Sequence, residues 1–426
     1  MIETIKNAWK IPDLRKKLLF VIGCIVVYRF GYTIFVPYVD TAALTEAFKA
    51  QADTLIGYFN VLSGGGFSQA SIFALSVYPY INSSIIMQLL QVAIPALERM
   101  VKEGGEEGRK KIASITRYVT VALAIITGFS YYMLLKSYQV LTRTDAWSAI
   151  VIILTFTAGS AFIMWLGEQI NEKGIGNGIS IILFCGIVSR GPAMVQSIVE
   201  GVKSGTLDIF KTILILLISV AMIAFIVFIT NAERRIPVQY AKRVVGRKMY
   251  GGQSTNLPMK VNMAGVMPII FASTIITVPA TIGNFLTPKE GGFWDHFLKA
   301  FQQGSPAYII VYFLLILGFA YFYATIQFNP IEVANNLKKN GGFIPGFRPG
   351  KPTSDFIQRV LNKITLMGAL FLAVIAIFPL IMSNVKGMGG LAIGGTSVLI
   401  LVGVALETVK AIEGQMLMRH YKGFLE

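Results

Sequence analysis

The chain has 426 residues, 54% of them hydrophobic, and its mean hydropathy is +0.64. Its 38 Lys and Arg residues outnumber 22 Asp and Glu residues, which gives a formal net charge of +16 at pH 7. The composition excludes an ordinary soluble domain and indicates an integral membrane protein, because the apolar residues are gathered in long runs.

Ten apolar stretches follow one another along the chain, and each is long enough to cross a bilayer as an α-helix. A membrane-spanning helix needs about 20 mostly apolar residues. Backbone groups in the hydrocarbon layer must pair within the segment, which favours helices. The predicted spans are Leu18–Val36, Ile72–Ile94, Ile115–Leu135, Ile150–Leu166, Ile179–Val199, Ile209–Ile229, Ala264–Leu286, Tyr308–Phe328, Ile364–Met382 and Leu391–Leu406.

The positive residues predict the orientation of these spans. Most Lys and Arg residues lie in the N-terminal segment, the even-numbered loops and the C-terminal segment. Because cytoplasmic loops carry the excess of positive charge, both termini are predicted to be cytoplasmic.

The segment from Leu55 to Ser71 follows the first span and fits no span itself. It is apolar but too short to cross a bilayer, and Gly64, Gly65 and Gly66 interrupt it. One interpretation is a half-helix followed by a flexible hinge, buried in protein or lining a cavity. The other is an external loop with a turn lying on the surface.

Ten spans divide into two halves of five, which predicts an N-terminal half over 1–205 and a C-terminal half over 206–426. An odd number of spans per half would insert the second half upside down relative to the first, as in an inverted repeat. The alternative is that ten spans divide by two without any internal symmetry.

Two long basic loops lie on the predicted cytoplasmic side of the C-terminal half. They cover residues 231–262 and 329–362 and exceed ordinary connection lengths. Their charge suits a large acidic partner such as ribosomal RNA or a cytosolic protein. The alternative is that the charge serves only the topology of the chain.

The sequence contains little that would support catalysis, a cofactor or a metal. His296 and His420 both lie outside the spans, and no zinc or phosphate-loop motif is present. Cys24 and Cys185 fall inside spans and indicate buried thiols. Arg29 is the main ionisable residue within a span, so an ion-coupled transporter is disfavoured but stays an alternative. We therefore predict neither an enzyme nor a cofactor site.

Five stretches resemble the SecY/Sec61-alpha family of protein-conducting channels. They are Pro79–Leu90, Gly167–Ser180, Gln239–Arg243, Lys260–Pro268 and Gly342–Gly350. The resemblance extends from about Leu14 to the C-terminus. It implies an all-α polytopic membrane protein, with ten transmembrane helices in two pseudo-symmetric inverted halves around a central pore and a short plug helix.

The same resemblance implies the function and the partners. The family translocates unfolded secretory proteins across the bacterial plasma membrane and releases apolar helices sideways into lipid. The motor SecA or the ribosome drives translocation, and the subunits SecE and SecG complete the complex. The alternative function is a secondary small-molecule transporter with an inverted repeat.

The resemblance also assigns residues to functional parts, and these assignments come from the family alone. The pore ring is assigned to Val77, Ile81, Ile179, Leu183, Ile270 and Ile400. The plug lies near 56–67 and includes Ile56, Tyr58, Phe59, Asn60, Ser63, Gly64, Gly65 and Phe67. The lateral gate includes Ile85, Gln88 and Asn262, although Gln88 has the alternative of an interhelical polar residue without a gating role. Lys242, Arg243 and Arg348 are assigned to the contact with SecA or the ribosome.

Overall fold

The structure of the protein, a computed structural model, describes residues 2–49, 60, 63–205, 208–240, 243–245, 248–250, 254–283, 292–301, 305–383 and 395–422. In chain order its helices are α1 Ile2–Lys10, α2 Pro12–Gly31, α3 Thr41–Lys49, α4 Tyr78–Ala93, α5 Pro95–Lys102, α6 Gly105–Ser137, α7 Ala146–Lys173, α8 Gly178–Ser189, α9 Gly191–Lys203, α10 Ile209–Asn231, α11 Met267–Gly283, α12 Phe293–Ala300, α13 Pro306–Gln327, α14 Pro330–Lys339, α15 Lys351–Ser383 and α16 Gly395–Lys422. The strands are β1 Glu233–Tyr240, β2 Arg243–Val245, β3 Lys248–Tyr250, β4 Ser254–Lys260 and β5 Gly342–Phe343.

Each of the ten predicted spans overlaps one of these helices or a consecutive pair of them. Within the described ranges, six helical segments are long and apolar enough to cross a membrane, and the bent pair α4–α5 would be a seventh. The two helices of that pair meet at 103°. The bend falls at Pro95, whose ring disfavours a helical conformation for Ile94, and Ile94 is extended.

Side-chain caps fix where several helices begin. The Asn177 carboxamide accepts from the backbone N–H of Ile179 at 3.1 Å, and Asp208 accepts from Phe210 at 3.0 Å. Such caps satisfy N–H groups that the first turn of a helix leaves unpaired. They place the start of α8 and of α10 at defined residues, and Pro at the first turn does the same for α2, α4 and α13.

The glycine run Gly174–Gly178 has a packing role as well as a conformational one. A Cβ on Gly178 would lie 2.0 Å from the carbonyl oxygen of Gly167, so only glycine permits this approach of α8 to α7. Asn171 in α7 accepts from the Gly178 N–H at 2.7 Å.

The two long basic loops form a joint β-structure, which the sequence analysis does not predict. The strand β1 pairs antiparallel with β4, from Glu233 opposite Lys260 to Gln239 opposite Ser254. The same strand pairs with β5 across the other edge, so the sheet order is β4-β1-β5. This sheet joins residues 233–240 and 254–260 of the first loop to residues 342–343 of the second, and β2 and β3 pair separately with each other.

The first and last helices of the chain meet. The Thr4 hydroxyl of α1 donates to the Glu413 carboxylate of α16 at 3.1 Å, and Lys17 donates to Gln415 at 3.2 Å. A small apolar cluster lies beneath these contacts and contains Ala8, Leu14, Ile175 and Ile412. The N-terminal and C-terminal helices consequently lie next to each other, in agreement with the even number of predicted spans.

Candidate pore and lateral gate

The six residues assigned to the pore ring belong to one central hydrophobic cluster. Val77, Ile179, Leu183 and Ile400 are buried within it, and Ile81 and Ile270 pack against it partly exposed. They come from α4 and the residue before it, and from α8, α11 and α16, which are helices of both predicted halves. The structure thus brings together side chains separated by more than three hundred residues of sequence.

An irregular segment before α4 positions the first ring residue. Residues 72–77 form turns rather than the helix that the predicted span contains, and Ser76 has a φ of +48°. Val77 precedes the first residue of α4, and its carbonyl accepts from the Ile81 N–H at 3.0 Å. Val77 and Ile81 therefore lie one turn apart on the same face of the chain.

Part of the predicted plug lies outside the described residues, namely Ile56, Tyr58 and Phe59. Over the described part, residues 63–70 form consecutive turns, so the predicted helix does not continue through 63–67. The reason is local, since Gly64 and Gly65 have φ values of +65° and +94°, which interrupt a right-handed helix.

Hydrogen bonds hold this turn segment together. The Asn60 carboxamide accepts from the Ser68 N–H at 3.0 Å, and the Asn60 carbonyl accepts from the Gly65 N–H at 2.8 Å. The Ser63 hydroxyl accepts from the Phe67 N–H at 3.0 Å. The Ser63 hydroxyl also donates to the Asn60 carbonyl at 3.2 Å, which connects the two polar members of the predicted plug.

The turn segment packs against neighbouring helices on two sides. A Cβ on Gly64 would lie 2.9 Å from the carbonyl oxygen of Gly186 in α8. On the other side, the ring of Phe67 stacks on Tyr131 of α6 at 4.3 Å, and Phe48 of α3 meets it edge-on at 5.5 Å. The segment is held between helices of the N-terminal half.

The three residues assigned to the lateral gate lie in different surroundings. Ile85 is buried on α4, whereas the Gln88 amide donates within the same helix to the Ser84 hydroxyl at 3.3 Å. Asn262 precedes α11 and lines a shallow cleft. The other residues of that cleft come from its own segment and from α13 and α15, and none comes from α4.

A hydroxyl pair that the sequence analysis missed connects α4 to α11. The Tyr78 hydroxyl oxygen lies 3.3 Å from the Thr277 hydroxyl oxygen. The sequence offers one indication of Tyr78, which directly follows the assigned ring residue Val77. It offers no indication of Thr277, because a single hydroxyl in an apolar span is common and usually bonds within its own helix.

Arg348 lies on a turn between two glycines with positive φ. Gly346 and Gly350 have φ values of +88° and +105°, and the Arg348 side chain is exposed between them. Phe347 stacks on Phe356 of α15 at 4.2 Å and fixes the loop to that helix. Lys242 lies outside the described residues, and only the backbone of Arg243, in β2, is described.

The sequence profile of the SecY family matches residues 71–409 of the chain. A "Protein translocase subunit SecY" from Streptomyces griseus is 46% identical over 444 residues, and the alignment covers 100% of both chains. The corresponding protein of Mycobacterium bovis is 42% identical over 448 residues, again with 100% of both chains covered.

Solved structures share the fold at lower identity. A structure described as that of a protein conducting channel has a TM-score of 0.66 at 17% identity, covering 94% of this chain and 92% of that one. Sec61 in the canine ribosome-channel complex from the endoplasmic reticulum has a TM-score of 0.62 at 15% identity, with 94% and 92% covered. The likeness therefore concerns the whole architecture.

Proposed function

The chain belongs to the SecY family, and from this premise we propose that it is the channel subunit through which unfolded secretory proteins cross a membrane. The full-length identity to relatives named as SecY translocase subunits carries this conclusion. Apolar helices of membrane proteins leave the same channel sideways into lipid. The subunit serves as a conduit, and a small-molecule transporter is not favoured.

The six ring residues form the neck of the channel. Their common membership of the central hydrophobic cluster supports this assignment. A narrow apolar neck sheds water and so resists ion flow. Aliphatic side chains change rotamer easily, so they pack around a passing chain without recognising its sequence.

The segment over 56–67 closes the neck from outside. The support is the packing of Gly64 on α8 and of Phe67 on α6, next to the helices that carry the ring. Because Phe67 is held by aromatic rings, movement of the plug is confined to residues that precede it. The glycines at 64 and 65 provide the backbone freedom for that movement.

The lateral gate is the seam between α4 and α6 on one side and α11 and α13 on the other. Ile85, Gln88 and Asn262 belong to its two sides. Asn262 acts from the α13 side of the seam, as its cleft suggests. A signal helix entering this seam exchanges helix–helix contacts for its own.

The sheet unit formed by the two long loops receives the cytoplasmic partner. Its exposed basic residues include Arg234, Lys260, Lys338, Lys339, Arg348 and Lys351. Long-range attraction to an acidic surface follows from such a patch. Lys242, Arg243 and Arg348 contact SecA or the ribosome there, and SecE and SecG complete the complex within the membrane.

The two halves over 1–205 and 206–426 are inverted relative to each other in the plasma membrane of a bacterium, with both termini in the cytoplasm. The contact of α1 with α16 supports the common side of the termini. The positive charge of the even-numbered loops supports the cytoplasm as that side.

Site-specific photocrosslinking tests the proposed path. A photoreactive residue at Ile81 is expected to capture a secretory precursor stalled in vesicles that hold SecA and ATP. The same residue at Phe228, which is 72% exposed on α10, serves as the control and should capture lipid instead. Absence of a crosslink at Ile81, Ile179 and Ile270 while the precursor is protected from protease would place the path elsewhere. If no precursor is ever protected, the translocation function itself fails.

A further inference from the structure

We propose that Tyr32, the residue that follows α2, is a positioning residue that connects the turn segment of the proposed plug to the segment before the ring residue Val77. A movement of the plug reaches Val77 through this one aromatic ring. The inference rests on the proposed function, because it takes residues 56–67 as the plug and Val77 as part of the ring. It gives a role to the first span, to which the family resemblance assigns no site residue.

Tyr32 is held in place from the side of α2. Its side chain is 6% exposed, and its hydroxyl oxygen lies 2.8 Å from the hydroxyl oxygen of Tyr28, one turn earlier. Both tyrosines belong to the central hydrophobic cluster that contains the ring. Because buried side chains are close-packed, a displacement of the Tyr32 ring is passed on to the groups that touch it.

The plug segment touches one edge of the Tyr32 ring through Gly66. A Cβ on Gly66 would overlap the ring, so only glycine permits this approach. Gly66 has no positive φ, in contrast to Gly64 and Gly65, so contact rather than backbone conformation requires a glycine here. The next residue is Phe67, whose ring stacks on α6. Gly66 therefore lies between a fixed residue and the Tyr32 ring.

The segment before Val77 touches the same aromatic ring through Phe73. The ring centroids of Tyr32 and Phe73 lie 6.0 Å apart, edge to face. Phe73 is buried, and its ring also stacks on Tyr28 at 6.2 Å and on Phe162 of α7 at 5.8 Å. A Cβ on Gly31 would overlap the Phe73 ring, so α2 leaves this ring no room to turn aside. Phe73 consequently follows the position of Tyr32.

The segment 72–77 yields at its end rather than at its start. A Cβ on Gly159 of α7 would overlap a carbonyl oxygen at the start of the segment, so the start is pressed against α7. At the other end, the Ser76 carbonyl accepts a long hydrogen bond of 3.3 Å from the Ser160 hydroxyl, and Ser76 has a φ of +48°. A displacement of Phe73 is therefore taken up next to Val77, whose side chain is 1% exposed.

A second route leads from Gly66 to the same segment. A Cβ on Gly66 would lie 2.6 Å from the Ser71 hydroxyl oxygen, and the Gly66 carbonyl accepts from the Ser71 N–H at 3.1 Å. A push that travels along this backbone route is independent of the Tyr32 side chain. A push that travels through the aromatic ring disappears when the ring is removed, and this difference separates the two routes.

Thiol reactivity at the ring tests the role of Tyr32. With Cys24 and Cys185 replaced by Ala, Val77→Cys reports the ring in resting channels reconstituted with SecE and SecG. Gly66→Ala overpacks the site and should raise the rate at which a small polar reagent modifies this cysteine about tenfold. Tyr32→Ala removes the ring that passes on the push, so Gly66→Ala should change the rate no further in that background. Tyr32→Phe keeps the ring, so Gly66→Ala should act there as in the unaltered channel.

The connection should also act in the opposite direction, because coupling between two sites is reciprocal. Ser63→Cys reports the plug, since Ser63 is buried. Phe73→Leu removes an aromatic contact of Tyr32 and should raise the modification rate at Ser63→Cys about twofold or more, but not in the Tyr32→Ala background. Gln69→Ala, at an exposed position of the same turn segment, is the matched control and should change neither rate. Gly23→Ala, where an added Cβ meets nothing within 4 Å, is the control on α2.

Two results would overturn the role of Tyr32. One is an equal acceleration at Val77→Cys by Gly66→Ala with and without the Tyr32 ring, which would assign the push to the backbone at Ser71. The other is an unchanged rate at both cysteines in the Gly66→Ala and Phe73→Leu channels. Translocation of a secretory precursor with SecA and ATP reports that each variant is folded, and if Gly66→Ala does not assemble, the Phe73→Leu measurement decides. An unaltered channel that translocates no precursor overturns the proposed function itself.

Discussion

The Tyr131 hydroxyl of α6 donates a hydrogen bond to the backbone carbonyl of Phe67, and the two rings stack with their centroids 4.3 Å apart. Phe48 and Phe156 extend the contact to α3 and α7. The end of the proposed plug segment is therefore fixed to α6 and α3, and α7 packs on Tyr131. This arrangement separates a fixed end at Phe67 from the glycines that precede it.

Loss of the Tyr131 hydroxyl should loosen the closed state. Tyr131→Phe keeps the ring stack and removes one hydrogen bond, worth about 0.6 kcal/mol in a membrane, so the open population should rise about threefold. Phe67→Ala should raise it further, because an aromatic pair contributes about 0.5–1.5 kcal/mol beyond its area. Ion conductance of planar bilayers containing the resting channel measures the effect. Tyr132→Phe is the control, and equal leaks in Tyr131→Phe and Tyr132→Phe would contradict the role of Phe67 as the fixed end.

A polar residue in the ring should make the neck leak. Ile81→Asn places an amide against the central cluster, where an unsatisfied polar group costs about 1–3 kcal/mol and is relieved by water. For each 1.4 kcal/mol of that cost, the hydrated fraction of the neck should rise on the order of tenfold, and ion conductance should rise with it. Ile81→Leu keeps the volume and the apolar character of the side chain, so this channel should not conduct ions. A dry, non-conducting Ile81→Asn channel with normal translocation would remove Ile81 from the ring.

The overlap of helices with predicted spans shows that hydropathy alone predicts the membrane-spanning helices. A lipid environment requires long apolar helical segments, so α6, α7, α10, α13 and α15 are predicted from the sequence, although their ends are shifted. The ring does not, because Val77 and Ile270 are aliphatic like their neighbours and only the family resemblance selects them. Residues 72–77 are apolar yet form turns, because Ser76 takes a positive φ in tertiary packing that no local pattern indicates.

The strands of the two long loops were missed for a different reason. The strand β1 alternates only over Ile236 and Val238, which are buried, and Pro237 between them argues against a strand. Its partner β5 comes from the other loop and has two residues. A pairing of this kind depends on the helices that bring the two loops together, so the single sequence does not reveal it.

Reversal of the charge at Arg348 should weaken binding of the cytoplasmic partner without unfolding the channel. The side chain is exposed, and the backbone carbonyl of Arg348 accepts from the Thr353 hydroxyl at 2.8 Å. A surface ion pair contributes about 0.2–1 kcal/mol, so Arg348→Ala should weaken partner binding about 1.4- to fivefold and Arg348→Glu more. Binding of ribosomes or SecA to reconstituted vesicles measures this at two salt concentrations, since salt should diminish the difference.

The position of Arg348 can be separated from its charge. Phe347→Ala keeps the charge of Arg348 but removes the stack of Phe347 on Phe356, so the loop should lose its fixed geometry and partner binding should fall as well. Arg143→Ala, an exposed arginine on the opposite predicted side, is the control and should bind normally. Full binding by Phe347→Ala and Arg348→Glu together would show that the partner contacts another surface.

The contact between α1 and α16 should form in the assembled channel, on its cytoplasmic side. With Cys24 and Cys185 replaced by Ala, Thr4→Cys and Glu413→Cys should be joined by a short bifunctional thiol reagent, because the native oxygens lie 3.1 Å apart. A thiol reagent that cannot cross membranes should label neither cysteine in intact cells and both after lysis.

Ile412→Ala should reduce the crosslink, since truncation of a buried Ile costs about 2–5 kcal/mol. Gly414→Ala, where an added Cβ meets nothing within 4 Å, should leave it unchanged. Labelling of either cysteine from outside the cell would contradict the proposed orientation. Labelling only after lysis, without crosslinking, would contradict the contact between α1 and α16 but agree with the orientation.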